Sequence, residues 1–489
     1  MTTHEDLADH TLRAAVRKGR MNRRAWIVTG LLVAFQIINF ADKAVIGLVA
    51  GPAMKELGLT SGQFGFIGSA FFFLFSIAGI AVGFIAGKVP TRWILLTMGV
   101  SWAVLQFPML FGGGAAVLLV TRILLGAAEG PATPISLQHA QAWFSPKERG
   151  LPSSVVAAGS AVGPIIAAPL LAWVIANPDL GWRWAFGLLG IVGLLWTLAW
   201  LMLGREGPYG HAGAPAEKPG AEVNAGPKTD VGSETDTNGE ANLNAKSSIA
   251  DYSDLLRMVP IRRVLGSWMF VVALLAGAGC FWAQGFLSTW SPKYLSSVVD
   301  LKPEMIGLVS TFPWIVGAGA LLILGFASRY LMKRGVTVRW AMGALFGATL
   351  LISGLCFTVL PHMHGYGAVG FLTVGAGLAL IYPLAPTAIA FCVCSKQRAA
   401  VMATLTGFAS IGGVIAPAMV GMLMDRAGYL ANPQGAGDTA EMASRLADGM
   451  NSSFILIGIY LTCVGLLSVV LLNPDRTART LQKKFSFSG

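Results

Sequence analysis

The stretch AWIVTGLLVAFQIINFADKAVIGLVAGPA, residues 25–53, is apolar except for the adjacent Asp42 and Lys43. A helix that crosses a bilayer needs about 20 mostly apolar residues, and this stretch is long enough for one. A charge near the centre of such a helix costs ~2.5–3.5 kcal/mol on insertion scales. Residues 25–53 therefore predict a membrane-spanning helix whose two charges are kept for pairing or for function.

Similar apolar windows recur along almost the whole chain. Of its 489 residues, 54% are hydrophobic and 12% are charged, a composition typical of integral membrane proteins. Continuous apolar runs argue against a transmembrane barrel, whose strands alternate over about 10 residues. We predict an all-α integral membrane protein with twelve transmembrane helices, at residues 25–51, 63–87, 92–112, 115–141, 150–176, 183–204, 264–290, 305–328, 338–360, 365–391, 400–424 and 452–473.

The positive charges are distributed unevenly across these helices. The chain carries a net charge of +11, and with both termini in the cytoplasm 27 of its 35 Lys and Arg residues fall on the cytoplasmic side, six outside and two within helices. This is the positive-inside pattern of membrane proteins, and it explains the charge without a nucleic-acid partner. We expect a multi-pass protein of the inner or plasma membrane with both termini in the cytoplasm.

A polar segment divides the twelve helices into two sets of six. Residues 207–248 are rich in Gly, Ala, Pro and Asn and almost free of bulky apolar side chains, which is typical of a disordered linker. The next residues have apolar side chains at helical spacing and suit a short interfacial helix. The predicted divisions are a cytoplasmic segment 1–24, a six-helix bundle 25–204, a cytoplasmic linker 205–263, a second bundle 264–473 and a cytoplasmic tail 474–489.

The two sets of helices share short motifs in the same order. EGPATP (129–134) matches IYPLAP (381–386), SPKERG (145–150) matches SKQRAA (395–400), and SAVG (160–163) matches SIGG (410–413). Several matches at nearly constant offset indicate an internal duplication. We therefore predict two pseudo-symmetric bundles.

The arrangement of six plus six helices resembles the major facilitator superfamily. The motifs that carry the resemblance are GFIAGKVPTRW (83–93), RILLGAAEG (122–130) and ERG (148–150). In the first motif Gly87 and Lys88 replace the family's usual acidic residue and arginine, which weakens the inference of gating through that loop. The resemblance implies a monomer without a cofactor, in which two bundles rock about a central site near the membrane midplane.

Four ionised side chains lie well inside the predicted helices: Asp42, Lys43, Arg122 and Glu129. At about 1.5 Å per residue, Asp42 and Arg122 lie at a similar depth and Glu129 lies one to two turns deeper. One interpretation is a buried salt-bridge network that joins helices one and four, although buried ion pairs stabilise less than apolar packing. The other is that the cations hold an anionic substrate while the carboxylates carry protons.

The second interpretation provides a coupling mechanism. The proton affinity of a carboxylate in a dry cavity depends on whether a nearby cation is engaged elsewhere. A substrate anion that takes over the cation makes the carboxylate accept a proton more readily. This is the linkage that a symporter requires.

The spacing of these charges resembles the anion:cation symporter branch, which includes galactonate, hexuronate and phthalate permeases and the vesicular glutamate transporters. GWRWAFGLLGIVGLLW (181–196) and FLSTWSPKYL (286–295) also look like that branch. The resemblance implies that Asp42 and Glu129 couple protons, and that Lys43 and Arg122 contact the anion. The family usually has arginine at the position of Lys43, so bidentate binding of a carboxylate rests on Arg122.

Neutral side chains would choose among anions. For each one, simple packing or bonding to its own helix remains an equal alternative. His139 is a further candidate, as a proton relay towards the cytoplasm. The predicted neutral substrate contacts are Gln36, Asn39, Gln284, Ser288, Thr289, Tyr382 and Thr406.

We therefore predict a secondary active transporter that imports an organic carboxylate, such as a sugar acid or aromatic acid, together with protons. The main alternative is a proton-driven exporter of lipophilic compounds. GSAVGP (159–164) resembles an antiporter motif, although Ala167 and Ala168 stand where two glycines usually follow. A membrane enzyme or a nontransporting sensor lacks support, because the predicted helices carry no His/Cys cluster, phosphate-binding loop or nucleophile–base pair.

Overall fold

The computed structural model describes residues 4–85, 89–144, 148–208, 258–430 and 439–483. These residues form helices without strands, and twelve helices are long and apolar enough to cross a membrane, which confirms the predicted all-α membrane architecture. They are α1 Arg23–Leu48, α2 Ser61–Val82, α3 Thr91–Leu110, α4 Ala115–Gln141, α5 Gly150–Ala176, α6 Arg183–Leu203, α7 Trp268–Thr289, α8 Pro303–Lys333, α9 Arg339–His362, α10 Gly365–Ala390, α11 Ala400–Arg426 and α12 Ala440–Leu471.

Some helices extend beyond the membrane-crossing windows, and short helices lie between them. α1 is the end of a helix that begins at His4, and α2 continues to Ile85. The short helices outside the windows are Ala50–Leu57, Ile261–Leu265, Ser291–Ser297 and Pro474–Lys483. Residues 209–257, which include most of the predicted linker and its interfacial helix, lie outside the described residues.

The beginning of α12 differs from the prediction. The helix begins at Ala440, well before the predicted residue 452. Thr439 caps it by accepting a hydrogen bond from the Met442 amide, and the added turns bury Leu446 and Met450. These turns carry polar residues between the buried ones, so an apolar-run criterion finds the membrane crossing and misses the amphipathic extension.

Two membrane helices are interrupted at the matched proline motifs. α4 consists of Ala115–Glu129 and Ala132–Gln141, and α10 consists of Gly365–Ala379 and Leu384–Ala390. Proline lacks an amide hydrogen and clashes with the preceding turn, which explains both breaks. The break in α4 directly follows Glu129, so this carboxylate lies at a helix end. α8 and α11 are also divided, into Pro303–Val309 with Phe312–Lys333 and Ser395–Ala409 with Ile411–Arg426, and α9 begins with a π-helical turn Arg339–Ala344.

The two sets of helices pack in the same pairs. In the first half α1 packs against α5, α2 against α4 and α3 against α6. In the second half α7 packs against α11, α8 against α10 and α9 against α12. Each pair recurs six helices later, as an internal duplication predicts.

The halves meet through α1 with α7, α2 with α11, and α5 with α8. Glycines allow the backbones to approach closely. A Cβ added to Gly47 would lie 2.5 Å from the Ser288 carbonyl oxygen, and one added to Gly65 would lie 2.2 Å from that of Pro417. We call the membrane side at which α1 begins the N-terminal side. These contacts lie towards the opposite side and close the protein there.

Candidate functional site

α1 and α4 bring the four buried charges together. Side chains on a helix lean towards its N-terminus, and these two helices run in opposite directions. Lys43 and Glu129 therefore lean towards each other although Glu129 lies deeper, and Lys43 Nζ lies 2.5 Å from Glu129 Oε2. Only 4% of Lys43 and 1% of Glu129 are exposed, so this ion pair is shielded from water.

Lys43 has no hydrogen-bond donor left for another ligand. Its ammonium group also donates to Asn39 Oδ1 at 2.7 Å and to the Asn39 carbonyl oxygen at 3.3 Å, which together with Glu129 uses all three N–H groups. The ring of Phe40 lies 4.5 Å from Nζ, and those of Phe71 and Phe75 lie within 6 Å. These rings add cation–π attraction, so Lys43 is firmly held.

The second ion pair is looser. Arg122 Nη1 lies 3.5 Å from Asp42 Oδ2, beyond the range of a good hydrogen bond. Within the described part of the chain, Arg122 Nε and Asp42 Oδ2 have no hydrogen-bond partner. The guanidinium group lies over the Phe186 ring at 5.3 Å. Arg122 is therefore a buried, positioned cation with an unused donor.

Asp42 has a second partner that the sequence analysis missed. Gln106 of α3 donates a hydrogen bond from Nε2 to Asp42 Oδ1, and only 3% of Gln106 is exposed. A search for ionised residues passes over a neutral amide. A glutamine inside the predicted helix 92–112 was the available signal, because a buried amide needs a partner.

A cavity lies between the two halves at this level. Lys43, Arg122 and Phe72 line it from the first half, and Ser288 and Thr289 line it from the second. Its volume is about 20 Å³, enough for one or two water molecules. An organic anion does not fit in this volume, so binding requires the halves to move apart.

The predicted neutral contacts separate into three groups. Gln36 donates to Thr133 of α4 at 3.1 Å and Asn39 binds Lys43, so both lie at the interface that holds the charges. Ser288 and Thr289 line the cavity, and Gln284 precedes them by one turn of α7. Tyr382 and Thr406 instead pair with each other, with the Tyr382 hydroxyl donating to Thr406 Oγ1 at 3.0 Å.

His139 lies at the N-terminal side and is fully buried. Its Nδ1 lies 2.7 Å from Thr91 Oγ1 and its Nε2 lies 3.0 Å from the Arg205 carbonyl oxygen. A carbonyl oxygen only accepts, so Nε2 carries the hydrogen. These bonds tie α4 to the start of α3 and to the residues after α6. The relay role of His139 stays a prediction.

The four charges define what the site can do chemically. Two carboxylates and two cations sum to zero, so an entering anion brings an unbalanced charge that a proton can neutralise. In the described ranges, no cluster of three or more His, Cys, Asp or Glu side chains could hold a metal ion. The geometry suits binding of an anion together with transfer of protons.

The chain is similar to known transporters of sugar acids. The chain is 24% identical over 402 residues to a hexuronate transporter of Bacillus subtilis (strain 168), covering 80% of this chain and 86% of that protein. It is 24% identical over 424 residues to a D-galactonate transporter of Escherichia coli O6:H1, covering 85% and 92%. These relatives belong to the anion:cation symporter branch.

A solved structure shares the fold. A bacterial homologue of the human lysosomal transporter Spinster, in an inward-facing and occupied conformation, superimposes with a TM-score of 0.70 at 18% identity, covering 93% of this chain and 98% of that one. The family model for the Major Facilitator Superfamily matches residues 32–417. That match includes all four buried charges and eleven of the twelve membrane helices in whole or in part. The chain belongs to the Major Facilitator Superfamily.

Proposed function

We propose that this protein imports an organic carboxylate, such as a sugar acid or an aromatic acid, by proton-coupled symport. The observation that carries the proposal is Arg122, a buried cation at the cavity whose Nε lacks a partner in the described residues. A guanidinium group binds a carboxylate through two parallel hydrogen bonds. The hexuronate and galactonate transporters among the relatives support a carboxylate as the substrate.

The loose Asp42–Arg122 pair supplies the first coupling step. A substrate carboxylate that engages Arg122 competes with Asp42, which is 3.5 Å away and bound only weakly. Asp42 then lies in a dry site without its cation, where binding a proton removes the cost of an unpaired buried charge. Substrate and proton thus bind together, because each removes the cost of the other's charge.

The tight Lys43–Glu129 pair supplies the second step. Because Lys43 uses all three donors, it can bind substrate only after it releases Glu129 or Asn39. Release of Glu129 leaves a carboxylate that takes up a proton. We assign Glu129 as the second proton site, with Lys43 holding it ionised until the halves rearrange.

The proposal also covers the closed side, the orientation in the membrane and the oligomeric state. The contacts between the halves close the side opposite the N-terminal side, and the small cavity opens when those contacts separate. We assign the N-terminal side to the cytoplasm of a cell with this protein in its plasma membrane. The protein acts as a monomer, without an enzymatic step, and the hydroxyl groups of Ser288 and Thr289 select among anions.

The test uses purified protein in proteoliposomes that contain a pH-sensitive dye. Sugar acids, aromatic acids and dicarboxylates are added one at a time, and lumenal acidification that follows one acid identifies the substrate class. Asp42→Asn should abolish the acidification. Asp448→Asn removes an exposed carboxylate of α12 and should leave it unchanged.

The same vesicles distinguish import from the exporter alternative. The exporter would replace the proposal if two results occurred together. No acid would cause lumenal acidification, and acid-loaded vesicles would release protons when lipophilic compounds are added. In that case Arg122→Gln should retain transport, because a lipophilic cation has no use for a buried guanidinium group.

A further inference from the structure

Gln106 is the strongest feature of the site that the proposed function does not use. It lies in α3, a helix that contributes none of the four charges, and its side chain reaches Asp42 Oδ1. α6 packs closely behind it, since a Cβ added to Gly190 would lie 3.3 Å from Gln106 Cβ. The base of the Gln106 side chain is therefore packed against α6, and its amide is directed at the carboxylate of Asp42.

The two oxygens of Asp42 have different surroundings. Oδ1 accepts from Gln106, whereas Oδ2 faces Arg122 and has no hydrogen bond among the described residues. The charged groups around Asp42 are Lys43 on its own helix and Arg122 and Glu129 on α4. α3 and α6 present the neutral side chains of Gln106 and Phe186. Gln106 thus fixes the carboxylate with its free oxygen towards the cation that the substrate would take.

We propose that Gln106 is a positioning residue that sets the pH at which Asp42 binds its transported proton. An N–H donor stabilises an ionised carboxylate more than a neutral one. This inference rests on the proposed function, because it assumes that Asp42 carries a proton.

The test compares the pH dependence of accumulation in Gln106→Leu and in the unmodified protein. Leucine is similar in size but cannot donate, so Asp42 should bind its proton at a lower proton concentration. We expect the half-maximal pH to rise by about 1–2 units, the size of one hydrogen bond to a charged group. Gln106→Asn keeps a shorter amide and should shift it less.

Gln141→Leu is the matched control. Gln141 is also a glutamine whose side-chain amide donates a hydrogen bond, but it lies at the end of α4 and donates to Ser153 Oγ at 3.1 Å. This bond is away from the four charges, so its removal should leave the pH profile unchanged. Counterflow exchange of preloaded substrate at fixed pH establishes that each variant is folded. If Gln106→Leu does not exchange, infrared difference titration of the Asp42 carboxyl group in the purified Gln106→Asn variant provides the same comparison.

The outcomes separate the two proposals. If the unmodified protein accumulates no acid with protons, the proposed function fails. If Asp42→Asn still accumulates substrate with an unchanged pH dependence, the proton role of Asp42 is wrong and the role of Gln106 fails with it. If Asp42→Asn loses accumulation but Gln106→Leu exchanges substrate with an unshifted profile, only the role of Gln106 is overturned.

Discussion

Lys43 Nζ lies 2.5 Å from Glu129 Oε2, whereas the neighbouring Asp42 faces Arg122. The two acids and two bases are thus paired across α1 and α4 rather than along α1. Each cation is therefore paired with an acid on the other helix, so both pairs depend on the distance between α1 and α4. The tight pair joins the two helices, and the loose pair leaves Arg122 with an unused Nε donor among the described residues.

The tight pair predicts a rescue experiment. Lys43→Gln leaves Glu129 buried without its cation, and we expect the free energy of unfolding in detergent to fall by about 3–5 kcal/mol. The double variant Lys43→Gln with Glu129→Gln leaves no buried charge there and should recover most of the loss. Denaturant unfolding of the unmodified protein, Lys43→Gln, Glu129→Gln and the double variant measures the coupling. Additive losses would contradict the pairing.

Glu129 also predicts a separation of two transport activities. Glu129→Gln should abolish proton-driven accumulation, because an amide cannot take up the proton. It should leave counterflow exchange of preloaded substrate intact, since exchange needs no net proton movement. Loss of both activities would instead show that Glu129 is structural.

The loose pair predicts a change in affinity. Arg122→Lys keeps the charge but loses the planar fork and the unused Nε donor, so we expect the affinity for the transported anion to fall about tenfold, or ~1.4 kcal/mol. Arg445→Lys, in an exposed ion pair of α12, is the matched control. Half-saturation of counterflow measures both, and an unchanged value for Arg122→Lys would remove it from the binding site.

The sequence predicted the four charges but not their pairing. Ionised residues stand out in apolar windows, so Asp42, Lys43, Arg122 and Glu129 could be found without a structure. Their partners depend on side-chain lean and on the helix break after Glu129. Gln106 was missed because a neutral amide in an apolar window carries no charge signal.

Contacts between distant helix ends were also beyond the sequence. Asp425 at the end of α11 accepts hydrogen bonds from the Ser61 amide at 3.0 Å, the Gly62 amide at 2.8 Å and Thr60 Oγ1 at 2.9 Å. It caps α2 across the two halves, between residues more than 360 positions apart. No local pattern predicts such a cap.

This cap predicts a shift between conformations. Asp425→Ala should destabilise the conformation in which the two halves meet on this side by about 1–2 kcal/mol, as for other helix caps. The conformation that is open on this side lacks the cap and should not be affected. We therefore expect the population open on this side to grow. Spin labels at the exposed Lys55 and Leu430 measure the separation, and Asp448→Asn is the control. Equal distance distributions in both variants would contradict a role for Asp425 in closure.

Glu56, on the same side of the membrane, predicts a pH-dependent contribution to the free energy of unfolding. Partial burial raises the pKa of its carboxyl group, but hydrogen bonds from Trp182 and Arg183 and the guanidinium charge outweigh burial and lower that pKa overall. A lowered pKa means that the contribution is present above the unfolded pKa and lost as the pH falls through the folded one. The Glu56 side chain is 49% exposed, so solvent screening limits the contribution of its charge to the free energy of unfolding to about 0.5 kcal/mol.

Glu56→Gln should therefore lower the unfolding temperature slightly at neutral pH and have no effect at strongly acidic pH. Glu441→Gln, in an exposed ion pair of α12, is the comparison. If Glu56→Gln still lowered the unfolding temperature at a pH below the folded pKa of Glu56, the charge of the carboxylate would not be responsible for the stabilisation.

The position of Arg122 and Glu129 depends on Gly126, which lies between them on α4. A Cβ at Gly126 would lie 1.9 Å from the Phe71 carbonyl oxygen of α2, and backbone cannot move aside cheaply. Gly126→Ala should therefore push α4 from α2, separate both ion pairs and abolish accumulation, with a loss of about 1–3 kcal/mol in stability. A Cβ added at Gly319 in α8 would have nothing within 4 Å, so Gly319→Ala should leave accumulation and stability unchanged. Normal transport by Gly126→Ala would show that the site tolerates displacement of α4.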